Sequence, residues 1–442
     1  MLSAQPTITT AMNNTADVPL AASLPFLLML GAVAICPMFV EHFWGRNRNK
    51  LAIALLLSAP VIVYFLNIGR SLAIYESIVF DYVPFIILLG ALFVITGGIH
   101  IDTDISGSPR SNTALLLLGT ILASALGTTG AAMLLIRPLL HANRHRKFKS
   151  HTVLFFIATA CNCGGLLTPL GDPPLFMMYL RGAPFEWFLR LWPMWAGVNA
   201  LLLGIFYLVD RRFWLKEDPG AREGRLSRWP SISIRGGANF LWLAGILAAV
   251  AAINKETIPI LGSNHYYPFA REIVILLMAG LSLALTTREV RSANHFNWQP
   301  ITEVACIFLG VFITMVPCLI YLRQNASSLG ISSPTAFYYA SGFLSALLDN
   351  TPTALTFHSL ALGTGLNAPD MVAGIPSTVM AAICCGAVFF GAMTYIGNGP
   401  NFMVKTIAEH RSVKMPGFFA YIWIFSLPVM LPVFALVQLC LL

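Results

Sequence analysis

The stretch TPLGDPPLF, residues Thr168–Phe176, interrupts a long apolar run with glycine, proline and polar side chains. A second interruption, TYIGNGPNF at Thr394–Phe402, has a similar order of residues 226 positions later. Membrane lipid offers no hydrogen-bond partners to unwound backbone, so such segments persist only around a polar cavity. Two matching interruptions therefore predict a transporter whose substrate site lies between two halves of the chain.

Composition assigns the chain to the polytopic membrane proteins. Of its 442 residues, 57% are hydrophobic and 10% are charged, whereas soluble proteins carry about 25% charged residues. Residues 1–23 are polar and lack a basic start, which favours a tail over a cleaved signal peptide. The eight cysteines lie in apolar segments without the spacing of zinc or redox sites, so no cofactor is expected.

The pattern predicts an all-α fold of full spans, broken spans and re-entrant hairpins. The broken spans are 152–182 and 376–409, and the hairpins are 113–141 and 334–363. The full spans are 24–40, 51–68, 82–99, 188–210, 238–254, 272–287, 303–322 and 418–440.

The distribution of Lys and Arg sets the predicted orientation, because cytoplasmic loops carry most of the basic residues. Loops on one side hold 20 of the 27 basic residues, and the other side holds six. We therefore expect both termini on the non-cytoplasmic side of a bacterial inner membrane. Topology also accounts for the net charge of +8, so no nucleic-acid partner is expected.

The two hairpins enter from opposite sides in this layout, which predicts an inverted repeat of two five-element units. Each unit holds a re-entrant hairpin and a broken transmembrane helix. The predicted organisation is a polar tail (1–23), a scaffold helix and loop (24–50), transport repeat 1 (51–210), a cytoplasmic loop plus linking helix (211–271) and transport repeat 2 (272–442).

Two carboxylates fall at the predicted middle of the membrane, Asp172 in a broken span and Asp349 at a hairpin tip. A carboxylate at that depth is costly, so it marks a functional site by default. Burial favours the protonated form of such a group and an adjacent cation favours the ionised form, so it can exchange H⁺ for Na⁺. The alternative for Asp172 is that it only caps the helix beginning at Pro173.

Oxygen atoms near these aspartates could bind a hard cation. The candidates are Thr128, Thr129, Thr168, Asn350, Thr351, Thr394 and Asn398. Helix N-termini facing the same cavity would instead suit an anionic substrate. The nearest basic side chains, Arg137 and His358, lie on returning hairpin arms and make no convincing carboxylate clamp.

The segments CNCGGLLTPLGDPPLF (Cys161–Phe176) and LLDNTPTALTF (Leu347–Phe357) resemble the ion transporter superfamily, near its NhaD-type sodium:proton antiporters and citrate transporter-like families. The resemblance covers nearly the whole chain. It implies a homodimer, for which 24–40 and 238–254 are candidate scaffold segments. Relatives that carry dicarboxylates are implied to use Ser-Asn-Thr tips, and the Gly-Thr-Thr-Gly and Asp-Asn-Thr-Pro tips of this chain favour a cation instead.

The resemblance also assigns residues to the site. It implies a first tip of Thr128 and Thr129, a second tip of Asp349, Asn350 and Thr351, and unwound ion sites at the Gly171-Asp172 and Gly397-Asn398 loops. The Na⁺ candidates are Asp172, Asp349, Asn350 and Asn398.

The sequence therefore predicts a secondary transporter and no enzyme chemistry. Its first predicted activity is sodium:proton antiport by alternating access, and the alternative is cation-coupled symport of citrate or another carboxylate. A channel or a receptor is a third hypothesis. The expected partners are the lipid bilayer, small ions, a carboxylate in the symport alternative, and a second copy of the chain.

Overall fold

The computed structural model describes residues 17–217, 232–254 and 269–442. Most of the predicted tail, part of the loop 211–237 and residues 255–268 lie outside that description. Among the described residues, six helical segments are long and apolar enough to cross a membrane: Asn47–Asn67, Ser71–Thr96, Ser150–Leu167, Phe185–Trp214, Gln299–Gln324 and Phe418–Leu441. The prediction of a helical, multi-pass membrane protein is confirmed.

The helices are numbered here in chain order. The first half contains α1 (Leu24–Phe39), α2 (Glu41–Trp44), α3 (Asn47–Asn67), α4 (Ser71–Glu76), α5 (Val83–Thr96), α6 (Pro109–Leu126), α7 (Thr128–Ala142), α8 (Ser150–Thr159), α9 (Pro173–Leu180), α10 (Phe185–Leu189) and α11 (Trp192–Trp214). The second half contains α12 (Asn239–Ala252), α13 (Ala270–Leu285), α14 (Arg288–Ala293), α15 (Gln299–Gln324), α16 (Pro334–Leu347), α17 (Asn350–Thr364), α18 (Ser377–Phe390), α19 (Gly399–His410), α20 (Phe418–Tyr421) and α21 (Leu431–Leu441).

Short 3₁₀ and π segments extend or interrupt these helices. The 3₁₀ turns are Leu20–Ser23, Cys163–Leu167, Ala326–Leu329 and Gly391–Met393, and the π-helical segments are Ser77–Tyr82 and Ile422–Met430. The 3₁₀ turns at Cys163–Leu167 and Gly391–Met393 lie inside the two predicted broken spans, between α8 and α9 and between α18 and α19. Both spans therefore lose regular helix where the sequence predicted an interruption.

The two predicted hairpins are each a pair of helices with a break at the tip. Ser108 caps α6 by accepting a hydrogen bond from the Ser111 backbone, and Gly127 ends that helix with φ of +78°, a conformation that favours glycine. Ser333 caps α16 in the same way, and Asp349 caps α17. Their re-entrant path through the membrane stays a prediction.

Helical structure begins earlier than predicted before the span assigned to 82–99. Ser71–Glu76 and the π segment Ser77–Tyr82 continue into α5, so the predicted outer loop is largely helical. Within this segment the Asp81 carboxylate is buried and accepts a hydrogen bond from Arg181 at 2.8 Å. That ion pair accommodates the charge within the fold.

Two small antiparallel sheets, which the sequence did not predict, join loops. Strand β1 (His100–Thr103) pairs with β2 (Ile232–Arg235), and β3 (Met371–Val372) pairs with β4 (Ile375–Pro376). The strands lie in the loops 100–112 and 211–237, both of which the distribution of basic residues predicts to be cytoplasmic, so their pairing is compatible with that topology.

Helix packing brings the two halves of the chain together. Helix α16 packs on α18, α15 packs on α3 and α17, and α9 of the first broken span packs on α17 of the second hairpin. The contact between α9 and α17 places Asp172 beside the second hairpin tip.

Candidate functional site

Asp172 lies at the centre of a buried polar cluster, where its carboxylate is 0% exposed. Its Oδ1 accepts hydrogen bonds from the Thr128 hydroxyl at the start of α7 (2.8 Å) and from the Asn398 amide before α19 (3.2 Å). Its Oδ2 accepts a hydrogen bond from the Asn350 amide at the start of α17 (2.7 Å). Both hairpin tips and both broken spans therefore meet at one carboxylate.

The Asp172 side chain does not cap its own helix. Asp172 occupies the N-cap position of α9, where prolines at the helix start favour that boundary, but its side chain makes no capping hydrogen bond. Its oxygens instead accept hydrogen bonds from residues far away in the chain. The capping alternative raised by the sequence therefore does not account for the position of this carboxylate.

The two broken spans have the same backbone conformation around the site. Asp172 has φ −143° and ψ 142°, and Asn398 has φ −146° and ψ 140°. Thr168 has φ −142° and ψ 159°, and Thr394 has φ −140° and ψ 165°. Residues 226 positions apart thus adopt matching conformations, both where the side chains are the same (Thr168 and Thr394) and where they differ (Asp172 and Asn398).

The two threonines predicted in the broken spans donate hydrogen bonds to backbone carbonyls, and among the described residues neither makes a hydrogen bond to Asp172. The Thr168 hydroxyl donates to the Ser124 carbonyl, and the Thr394 hydroxyl donates to the Ala346 carbonyl at 2.5 Å. Each carbonyl lies near the end of the hairpin arm that precedes a tip. These hydrogen bonds fix each unwound segment against its neighbouring hairpin.

The predicted glycines allow a close approach of backbone. A Cβ atom at Gly171 would lie 1.9 Å from the Gly165 carbonyl oxygen, and one at Gly397 would lie 2.6 Å from the Gly391 carbonyl oxygen. The Gly171 carbonyl in turn accepts a hydrogen bond from the Thr128 backbone N–H at 2.8 Å. Gly171 and Gly397 therefore shape the site through their backbone.

The other predicted tip residues lie beside the cluster. Asp349 is half-buried and accepts a hydrogen bond from the Thr351 backbone N–H at 3.1 Å, which makes it the cap of α17. Thr351 is buried, and Thr129 is half-buried. Within the described part of the chain, no hydrogen bond connects these three side chains to Asp172.

Three residues of the site were missed by the sequence analysis. Asn162 and Asn401 are 0% exposed, and the Asn162 amide donates to Asn401 Oδ1 at 2.7 Å between the two broken spans. The Ser345 hydroxyl donates to Asn350 Oδ1 at 2.6 Å. Amide side chains inside apolar spans were the available signal for Asn162 and Asn401, since a buried amide needs hydrogen-bond partners.

Asp172 makes no salt bridge with any residue in the described ranges. His358 and Arg137, the two basic side chains considered as partners of an anionic substrate, have other neighbours. His358 is buried and its Nε2 bonds the Ala373 carbonyl at 3.0 Å. Arg137 lines a small cavity of about 30 Å³ together with Phe93 and Phe296. The polar partners of the central carboxylate are therefore neutral.

Comparison with known proteins identifies the family. A family model described as "Putative citrate transport" matches residues 15–442. The match spans nearly the whole chain, so the protein belongs to this family, and the predicted resemblance to the ion transporter superfamily is confirmed. No curated protein matches the sequence. The family and the apolar helices together make it a multi-pass membrane transporter.

Proposed function

We propose that this protein exchanges Na⁺ for H⁺ by alternating access, with Asp172 binding the two cations in turn. The observation that carries this function is a fully buried carboxylate whose partners Thr128, Asn350 and Asn398 are all neutral. A buried negative charge without a cationic side chain requires a proton or a metal ion to balance it. Such a group can release one cation when it binds the other.

Oxygen atoms around Asp172 are the proposed Na⁺ ligands, in keeping with the preference of hard cations for oxygen. The Thr128 hydroxyl oxygen already lies 2.8 Å from the carboxylate. Asn350 can offer its amide oxygen after the amide rotates. Asp349, one residue earlier, is the proposed second carboxylate, and the backbone of the unwound segments supplies further oxygens.

Alternating access follows from the proposed inverted repeat. The matching backbone conformations at Asp172 and Asn398, and the capped helix pair in each half, support that symmetry. In this proposal the hairpins and broken spans move as the transport element, and α1 and α12 contribute to a scaffold in a homodimer. The proposed location is a bacterial inner membrane with both termini on the non-cytoplasmic side.

The second candidate function is cation-coupled symport of citrate or a similar carboxylate. The family description favours it, and so does the arrangement of helix starts, since α7 and α17 both begin at residues that contact Asp172. Helix N-termini carry positive partial charge that can attract an anion. In this alternative Asp172 binds the coupling cation and the carboxylate binds beside it.

A proteoliposome experiment separates the two functions. The protein is reconstituted in vesicles with an acidic interior and a pH-reporting dye, with the membrane potential clamped. Na⁺, citrate and both together are then added outside. Proton efflux driven by Na⁺ alone is expected for antiport. A response only to Na⁺ and citrate together would reject antiport in favour of symport, and Na⁺ flux that an opposing proton gradient cannot drive uphill would indicate a channel.

A further inference from the structure

Three asparagine side chains, Asn401, Asn162 and Asn398, are linked in series by hydrogen bonds that end at Asp172. The orientation of the first amide, Asn401, is fixed by backbone. The Asn401 Nδ2 donates to the carbonyl oxygens of Gly391 (2.8 Å) and Thr394 (2.9 Å). Carbonyl oxygens only accept hydrogen bonds, so the nitrogen of this amide must face them. The Asn401 oxygen is therefore fixed on the opposite side, towards Asn162.

Asn162, in the first broken span, is oriented by its hydrogen bond to Asn401 in the second. Its Nδ2 donates to Asn401 Oδ1 (2.7 Å) and to the Ile157 carbonyl (2.8 Å), so both of its N–H groups are used. Its Oδ1 therefore faces Asn398 and accepts a hydrogen bond from the Asn398 Nδ2 at 3.2 Å.

The orientation of the Asn398 amide follows from its acceptors. Besides Asn162 Oδ1, the Asn398 Nδ2 faces the Cys161 carbonyl (3.1 Å) and Asp172 Oδ1 (3.2 Å), so its two N–H groups are shared among three acceptors. Turning the Asn398 oxygen towards a cation at Asp172 would leave two buried acceptors facing an oxygen. Unpaired buried acceptors are costly, so the amide nitrogen stays directed at Asp172.

Asn350 is not held in this way. Its Oδ1 accepts from the Ser345 hydroxyl (2.6 Å), which also lies 2.7 Å from the Ala387 carbonyl. A hydroxyl has one hydrogen and can rotate. It can donate to Ala387 and accept from the Asn350 nitrogen, which allows the Asn350 amide to turn without losing a partner.

We propose that Asn401 and Asn162 are positioning residues that hold the Asn398 amide as a permanent hydrogen-bond donor to Asp172, so that Asn350 alone offers an amide oxygen to the transported cation. We call Asn401, Asn162 and Asn398 the amide relay. The inference rests on the proposed role of Asp172 as the cation site, and it removes Asn398 from the predicted Na⁺ ligands.

The test uses Asn162→Ala, Asn401→Ala and the double variant in proteoliposomes. The KM for Na⁺ is measured at alkaline pH, where proton competition is smallest. Asn162→Ala removes one of the two buried acceptors that hold the Asn398 nitrogen in place, so the Asn398 oxygen can turn to the cation and the KM should fall by about tenfold, the scale of one hydrogen bond to a charged group. Asn401→Ala removes one of the two acceptors that orient Asn162, so the KM should fall in this variant too, by no more than in Asn162→Ala. Because the residues act in series, the double variant should match Asn162→Ala, and Asn162→Ala should have no effect in an Asn398→Ala background.

The matched control is Asn199→Ala. Asn199 is buried and donates to the Cys163 carbonyl at 3.3 Å, beside the same broken span but outside the relay. Its replacement should leave the KM unchanged. An unchanged or raised KM in the relay variants, or shifts that simply add, would overturn the proposal.

Melting temperatures of the same variants provide a readout that needs no transport. The Asn162 and Asn398 substitutions should be non-additive in stability, and additive values would also reject the relay. The proposed exchange function is tested separately from the relay, and it is rejected if Asp172→Asn transports like the wild type. The melting temperatures then decide the relay alone.

Discussion

Asp172 and Asn350 are 178 positions apart in the chain, yet the Asn350 amide donates a 2.7 Å hydrogen bond to the Asp172 carboxylate. This bond joins the first broken span to the second hairpin tip. A relative movement of these two segments must stretch or break it, so the surroundings of the charge depend on the conformation of the protein. A coupling group for alternating access needs that dependence.

Asp172→Asn should reduce cation-driven exchange to the background of empty vesicles, because an amide cannot exchange a proton for a metal ion. The fold should survive, since removing a buried charge also removes its desolvation cost and the Asn350 amide can turn to accept a hydrogen bond. Proton flux and melting temperature measure the two effects. Asp104→Asn is the control, because Asp104 is exposed and lies in a loop. Wild-type exchange in the Asp172 variant would contradict the assignment.

Substitutions of Asp349 separate its charge from its capping role. Serine can cap α17 but has no charge, whereas alanine loses both, at a cost of about 1 kcal/mol for the lost cap. If Asp349 is a second carboxylate of the cation site, Asp349→Ser should raise the KM for Na⁺ by about tenfold and keep the melting temperature. Asp349→Ala should raise the KM equally and also lower the melting temperature. An unchanged KM in both variants would leave Asp349 as a cap only.

The sequence was sufficient to locate both helix breaks and to select Asp172 as a candidate, since polar residues that interrupt apolar runs are a local signal. It was insufficient to pair Asn162 with Asn401, which lie 239 positions apart. An asparagine in or beside an apolar span does not reveal its partner from the sequence, and only packing supplies it. The pairing of Asp81 with Arg181, 100 positions later, is a second contact that only packing supplies.

A methyl group at Gly171 should prevent correct packing of the first broken span. The Cβ atom of Gly171→Ala would lie 1.9 Å from the Gly165 carbonyl oxygen, which is backbone and cannot rotate away. Overpacking of this kind costs about 1 to 3 kcal/mol or more. The control is Gly399→Ala at the start of α19, where a Cβ atom meets nothing within 4 Å. Size-exclusion profiles and melting temperatures should show damage in the first variant only.

A buried ion pair on the predicted cytoplasmic side should hold the base of the first hairpin. Arg146 Nη2 lies 2.6 Å from Asp210 Oδ1, and the two residues are 4% and 0% exposed. Arg146→Met leaves the Asp210 charge without its guanidinium partner, and breaking a buried pair costs about 3 to 5 kcal/mol. Adding Asp210→Asn should restore part of the melting temperature, because it removes a buried charge that has lost its guanidinium partner and keeps the His151 ring at 2.7 Å and the Asn112 amide at 3.0 Å. Arg144→Met, at an exposed arginine in the same loop, is the control. Equal melting temperatures for the Arg146 and Arg144 variants would mean that the pair contributes little to the stability of the hairpin.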